Sequence, residues 1–242
     1  MLLSLVPRLL IGCQTTPWPD PNDPRGAGVA QPEVLRRQVK GASDALLARE
    51  VGGEITDEQY RNMLAQYTDD LLHNVRVESL DPKRAWEYGM VFRAGRLWDK
   101  AEQAFRIAVA HPADEDRKVN DTLRLAEAEA QLGRVSAAVK TARQAFSSGY
   151  KVPILYSVLY EIVPAGQGKG RDVELARLLE DAIPQSDEAR VGTNTEEGKA
   201  FVMALPHHQH NARELAAKLY LSAGKSVDAE RVLSGQASTI RV

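Results

Sequence analysis

Three stretches of the chain share a spacing of small residues that restricts how their helices can pack. In each stretch a glycine or alanine lies twelve positions before an alanine, with a glycine turn between the two. The pairs are Gly89 and Ala101, Ala126 and Ala138, and Ala217 and Ala229, and the turns are at Gly95, Gly133 and Gly224. Two antiparallel helices joined by a short turn approach closely only where their crossing point lacks bulky side chains. The spacing therefore predicts three tightly packed helical hairpins.

A larger side chain is expected to close each contact, four positions after the second small residue. Phe105 and Leu233 hold this position in the first and last stretches, and Ala142 holds it in the middle one. The pattern resembles the tetratricopeptide repeat, a helix-turn-helix unit of about 34 residues that often ends in a proline, as at Pro112 here. The resemblance implies an all-α fold: a right-handed superhelical solenoid of antiparallel helical hairpins.

The resemblance covers about 83–146 and 211–234. The distance from Ala101 to Ala138 is 37 residues, so the linker 111–120 is expected to carry about three residues more than the repeat requires. Aromatic residues make up only 6% of the chain. Such a composition, with alanine and leucine abundant, favours helices that pack through small side chains.

The segment 146–200 lacks the spacing of small residues, although helices are predicted over 152–163 and 173–183. We interpret it as a degenerate middle repeat within a repeat domain that extends over 83–242. Its last part, 185–199, is expected to be a loop or an irregular helix.

One more hairpin is predicted ahead of the repeats, over residues 31–82. Apolar residues recur at helical spacing in 32–51 and again in 57–77. Thr56 is a favourable N-cap, and Gln59 three positions later completes a capping box.

The first thirty residues differ from the rest. The apolar opening ends at Leu10-Ile11-Gly12-Cys13, although Arg8 interrupts it and no basic region precedes it. It resembles a bacterial lipoprotein signal peptide, which implies removal of residues 1–12 and lipidation of Cys13. Residues 13–30 are rich in proline and glycine and predict a flexible tether. Gln14 after the cysteine is, by the same resemblance, typical of delivery to the outer membrane.

The repeat resemblance also implies a concave groove for an extended peptide. The residues expected to line it project from the first helix of each repeat, away from the neighbouring helices. They are Lys83, Trp86, Met90 and Arg93, then Leu123, Glu127 and Gln131, and last Glu214 and Lys218. The set lacks the regular pattern with which some members of the family grip a terminal carboxylate. Residues 83–106 carry six basic and three acidic side chains, which indicates either a solvated surface or one wall of a groove for an acidic peptide.

Motifs for catalysis are missing from the sequence. His207, His208 and His210 form the one cluster that suggests a metal, but no cysteine or paired carboxylate nearby completes a ligand set, so a helix entry is the better interpretation. No G-x-S-x-G or P-loop spacing occurs, and no cofactor is expected. The formal net charge of −2 gives no field that would attract nucleic acid.

The sequence thus predicts a non-enzymatic protein-interaction scaffold of the bacterial cell envelope, lipid-anchored and facing the periplasm, which binds a peptide or protein. Two alternatives stay open. One is a cytoplasmic repeat adaptor whose apolar first residues are not a signal. The other is an accessory metal-dependent enzyme that uses the 185–210 region.

Overall fold

The computed structural model describes residues 31–235. Cys13, the signal peptide and the tether lie outside this range, as does the end of the repeat domain. The regular structure within the range is helical, without strands, so the all-α class is confirmed. The helices are α1 Pro32–Val51, α2 Asp57–Leu71, α3 Ala85–Ala94, α4 Trp98–Ala110, α5 Glu115–Gln131, α6 Val135–Gln144, α7 in three consecutive parts (Ile154–Ser157, a π turn Val158–Ile162, and Val163–Gly166), α8 Asp172–Asp187, α9 Glu196–Ser222 and α10 Ser226–Leu233.

The helices pack mainly against their neighbours in sequence, in the pairs α1–α2, α3–α4, α4–α5, α5–α6, α8–α9 and α9–α10. Helix α5 also contacts α7 and joins two apolar cores. Its Leu125 and Ala128 belong to the core formed with α1–α4, whereas Leu123 and Ala126 belong to the core formed with α6–α10. Among residues 31–235, no helix combines the length and the apolar character that crossing a bilayer requires.

The predicted close approaches are present in all three hairpins. Every small residue of the three pairs is buried. A β-carbon built on Gly89 would lie 2.8 Å from the ring of Phe105, so glycine is needed where α3 crosses α4. The prediction for Leu233 is wrong, because its side chain is 57% exposed and its neighbour Val232 is buried in its place.

The turns of these hairpins have one backbone geometry. Gly133 and Gly224 have positive φ values of 78° and 71°, and Arg96 takes the same conformation at 62°. In each turn that residue donates its N–H to the carbonyl three positions back, and the next residue donates to the carbonyl five positions back. The turn is at Gly95, as predicted, and its left-handed position is the next residue, Arg96. Gly95 is required for another reason, since a β-carbon there would lie 2.2 Å from Thr68.

Two predicted boundaries need correction. Helix α2 begins with the predicted capping box of Thr56 and Gln59, but it ends at Leu71 and does not reach residue 77. The linker between α4 and α5 is 111–114, shorter than the predicted 111–120, because Asp114 accepts a hydrogen bond from the N–H of Arg117 and starts α5 there. The extra residues lengthen α5 instead.

The degenerate middle segment is mostly helical. Both predicted helices are present, as α7 and α8, and α8 extends to Asp187. Thr195 caps the following helix, α9, which continues through Pro206 without a break. His207, His208 and His210 therefore lie in the middle of a 27-residue helix and not at a helix entry as predicted.

Candidate binding site

Some of the predicted groove residues meet in an ion-pair cluster between three helices. Nε of Arg93 on α3 donates to Glu127 on α5 at 2.6 Å, and its Nη2 donates to Glu161 on α7 at 3.2 Å. Arg124 pairs with the same two carboxylates. Because Glu127 is buried and all four charges are balanced, this cluster joins helices and leaves no free charge for a peptide.

Trp86 and Met90 lie farther along α3. Trp86 is half-buried, and the guanidinium of Arg117 lies 4.4 Å from the centre of its ring. Met90 is half-buried and packs against the core of α1–α4. Lys83 is exposed just before the helix. Arg117 therefore already covers the indole that was expected to line a groove.

The remaining predicted positions do not complete a lining. The prediction for Leu123 is wrong: it is 1% exposed, because α5 is enclosed by α4, α6 and α7 and buries nearly its whole circumference. Gln131 is half-buried. Glu214 and Lys218 are exposed on α9, where Glu214 lies 3.4 Å from Nε2 of His210.

An apolar pocket lies elsewhere, between α7 and α9. It has a volume of about 210 Å³, and Arg124 of α5 is the charged residue that borders it. Its other lining residues are Val152, Pro153, Leu155, Tyr156, Ser157, Phe201, Leu205 and His208. Sites for drug-sized ligands have volumes of roughly 300 Å³ or more. This pocket is therefore suited to one large apolar side chain.

Three aromatic rings lie together at the edge of this pocket: Tyr156 and His208 line it, and Tyr160 contacts both. Tyr156 and Tyr160 are 51% and 40% exposed, and their ring centres are 4.9 Å apart. The ring of His208 stands edge-on to both, at 6.0 and 5.5 Å. We refer to Tyr156, Tyr160 and His208 as the aromatic rim.

Hydrogen bonds fix the position of these rings. The Tyr160 hydroxyl lies 2.8 Å from Nδ1 of His208 and accepts a hydrogen bond from Asn211 at 3.3 Å. Burial, together with the neighbouring His207, lowers the pKa of His208 below its usual range. The neutral imidazole can then accept, at Nδ1, a hydrogen bond that the Tyr160 hydroxyl donates.

The spacing of the two tyrosines on α7, beside its π turn, explains why they are neighbours. Side chains four positions apart lie on the same face of a helix. Tyr160 lies within the turn Val158–Ile162, and Tyr156 lies just before it. Such turns are frequent at functional sites.

The histidines of α9 do not assemble into a metal site in the described part of the chain. His208 contributes to the aromatic rim, and His210 faces Glu214. Among residues 31–235, no group of three or more histidine, cysteine, aspartate or glutamate side chains is arranged to hold a metal ion.

Sequence reasoning missed the pocket. It assigned "VPILYSVLYEIV" to a helix and the histidines to the start of another helix, and it did not connect them. The available signal was a pair of tyrosines four positions apart where a buried helix would carry aliphatic residues. No protein-family model, curated protein or solved structure matched this chain.

Proposed function

We propose that the protein is a non-enzymatic binding module whose hairpins form a right-handed, tetratricopeptide-like solenoid and whose α7–α9 pocket accepts a peptide or protein partner. The shared turn geometry and the buried pairs of small residues support the repeat interpretation. The binding site proposed here differs from the groove predicted by the resemblance, because internal ion pairs fill part of that groove.

The observation that carries this proposal is an apolar pocket bordered by exposed aromatic rings. Tyrosine rims around an apolar pocket are typical of interaction hot spots, because the rings exclude water and retain hydrogen-bonding groups. The pocket volume of about 210 Å³ limits the inserted group to one large side chain. The partner is therefore expected to present an aliphatic or aromatic anchor.

The cellular location remains part of the proposal. The sequence Leu10-Ile11-Gly12-Cys13 supports anchoring by lipid at Cys13, in the outer membrane and facing the periplasm. The module would then bind its partner while attached to the membrane by its tether.

A selection of random displayed peptides against the immobilised full-length protein tests the binding function. We expect the enriched peptides to share one large apolar residue. Their affinity should fall at least about tenfold in the double variant Tyr156→Ala/Tyr160→Ala, because truncating a hot-spot residue costs roughly 2 kcal/mol. Both tyrosines are well exposed, so the fold should tolerate their loss.

Tyr67→Ala is the matched control, because Tyr67 is 41% exposed on α2, away from the pocket. Fluorescence polarisation of labelled peptides should give the same dissociation constant for this variant and for the wild type. Peptides that bind the double variant as tightly as the wild type would place the site elsewhere. A selection without enrichment would contradict the binding function itself.

A further inference from the structure

We propose that a segment of the chain's own tether, centred on Trp18, occupies the α7–α9 pocket in the free protein and masks it until a partner displaces the segment. This inference rests on the proposed function, since it concerns the same pocket. Its support comes from the size and apolar lining of the pocket, the anchor that Trp18 offers, and the length of chain before Gln31.

Trp18 matches the anchor that the pocket requires. It is the one tryptophan outside the described residues, and it stands between two prolines in the stretch "TPWPDP". Prolines on both sides favour an extended backbone, which presents a side chain at low entropic cost. Grooves lined by aromatic rings are the usual binding sites of extended proline-rich segments. Tyr156 and Tyr160 offer such rings beside the pocket.

The charges of the pocket lining do not oppose the segment. Asp20 and Asp23 follow Trp18 closely. The residues that line the pocket include no carboxylate, and the charge of Arg124 is already balanced by Glu127 and Glu161. An acidic segment therefore meets no like charge among the lining residues, and its fit depends on the apolar lining and on Trp18.

The tether is long enough to reach the pocket. Thirteen residues lead from Trp18 to Gln31, and an extended proline-rich chain of this length spans about 40 Å. The side chain of Gln31 accepts a hydrogen bond from Arg84, at the start of α3. At the other end of α3, Arg93 bonds Glu161, which pairs with Arg124 at the pocket. The distance from Gln31 to the pocket is therefore made up of about 14 Å along α3 and the lengths of the contacting side chains at its two ends. The extended tether of about 40 Å can span it.

Tethering makes even weak binding sufficient. A short flexible linker gives an effective concentration of about 1 mM. A segment with a dissociation constant of about 1 mM would therefore occupy the pocket about half of the time. Removing the tryptophan should then strengthen binding of a partner peptide by about twofold or more.

Photo-crosslinking in the full-length protein tests this arrangement. A photoreactive phenylalanine analogue is introduced in place of Trp18, and in a control protein in place of Val29. Val29 is two residues from Gln31, so a chain segment of about 6 Å cannot carry it to the pocket. We expect crosslinks from position 18, within one molecule, to residues of α7 or α9 that border the pocket, and none there from position 29.

Crosslinks that join two molecules would identify a second copy as the occupant and overturn the proposal. Crosslinks spread over the surface, or none at all, would overturn it as well. The proposed function is judged separately, from the affinity of selected peptides for the wild type and for Trp18→Ala. Equal affinities would refute masking and leave peptide binding intact, whereas loss of affinity on Tyr156→Ala/Tyr160→Ala still locates the binding site.

Discussion

The buried carboxyl group of Asp121 shows how incompletely this fold compensates a charge that it removes from water. Asp121 on α5 is 1% exposed; Arg117 pairs with one carboxylate oxygen at 3.1 Å, and the other oxygen has no hydrogen-bond partner. Burial raises the pKa of this carboxyl from 3.8 to about 6. The attraction of Arg117 thus offsets only part of the cost of removing the charge from water.

This pKa predicts a pH-dependent stability. Between pH 3.8 and about 6 the folded protein holds a proton on Asp121 that the unfolded chain releases, so this group's contribution to stability falls as the pH rises through that window. Above about pH 6 the contribution is constant. A shift of about two units corresponds to roughly 3 kcal/mol. Asp121→Asn should therefore be the more stable protein at pH 7, by up to this amount, and lose its advantage near pH 4.

Urea unfolding of both proteins at pH 4, 5, 6 and 7 measures the difference. Asp70→Asn is the control, because Asp70 is exposed and near the end of α2, and its effect should change little over this range. A difference between Asp121→Asn and the wild type that is equal at pH 4 and pH 7 would show that burial does not raise the pKa of Asp121 above its value in the unfolded chain.

Among the structural elements, the hairpins were predictable and the pocket was not. The small residues and the turns that define a hairpin lie within about twenty positions of each other, so their spacing is visible in the sequence. The pocket brings together α7 and α9, which are separated by all of α8, so no local spacing of residues indicates it. The prediction that Leu123 lines a groove was wrong for a similar reason. The sequence does not show that α7 packs beside α5 and covers the face on which Leu123 lies.

The turn between α3 and α4 shows where the local rules were incomplete. The sequence places a glycine at position 95, but the structure needs one also at position 96, where Arg96 has φ 62°. Outside glycine, this conformation costs about 1 kcal/mol or more. At position 95 glycine is required for close packing against Thr68. The left-handed backbone of the turn falls on the next residue, which is an arginine.

Arg96→Gly is therefore expected to stabilise the protein by about 1 kcal/mol, less a small loss from the greater freedom of glycine in the unfolded chain. The reciprocal change Gly133→Arg should destabilise it by a similar amount. A β-carbon at Gly133 would meet no atom within 4 Å, so backbone strain alone accounts for that loss. Urea unfolding at pH 7 measures both, and a destabilised Arg96→Gly protein would show that contacts of the arginine, such as its position 6.0 Å from the Trp98 ring, outweigh the strain.

The described chain has two apolar cores, so the stability of its N-terminal helices and that of its C-terminal helices are expected to depend on different sets of contacts. One core contains α1–α4, the other α6–α10, and α5 contributes to both. Besides the contacts through α5, ion pairs connect the halves, from Arg93 on α3 to Glu161 on α7 and from Glu102 on α4 to Arg134 at the start of α6. In stacked helical arrays each unit is stabilised mainly by its neighbours, so damage remains local.

Substitutions in each core test this division. Phe105→Ala removes a fully buried ring from the first core, and Leu178→Ala truncates a fully buried side chain in the second. Each should cost about 3 kcal/mol or more. Hydrogen exchange followed by mass spectrometry should show lower protection in α1–α4 for Phe105→Ala, with α8–α10 unchanged, and the reverse for Leu178→Ala. If either substitution lowers protection equally in all helices, the described chain unfolds as one cooperative unit and stability is not divided between the two cores.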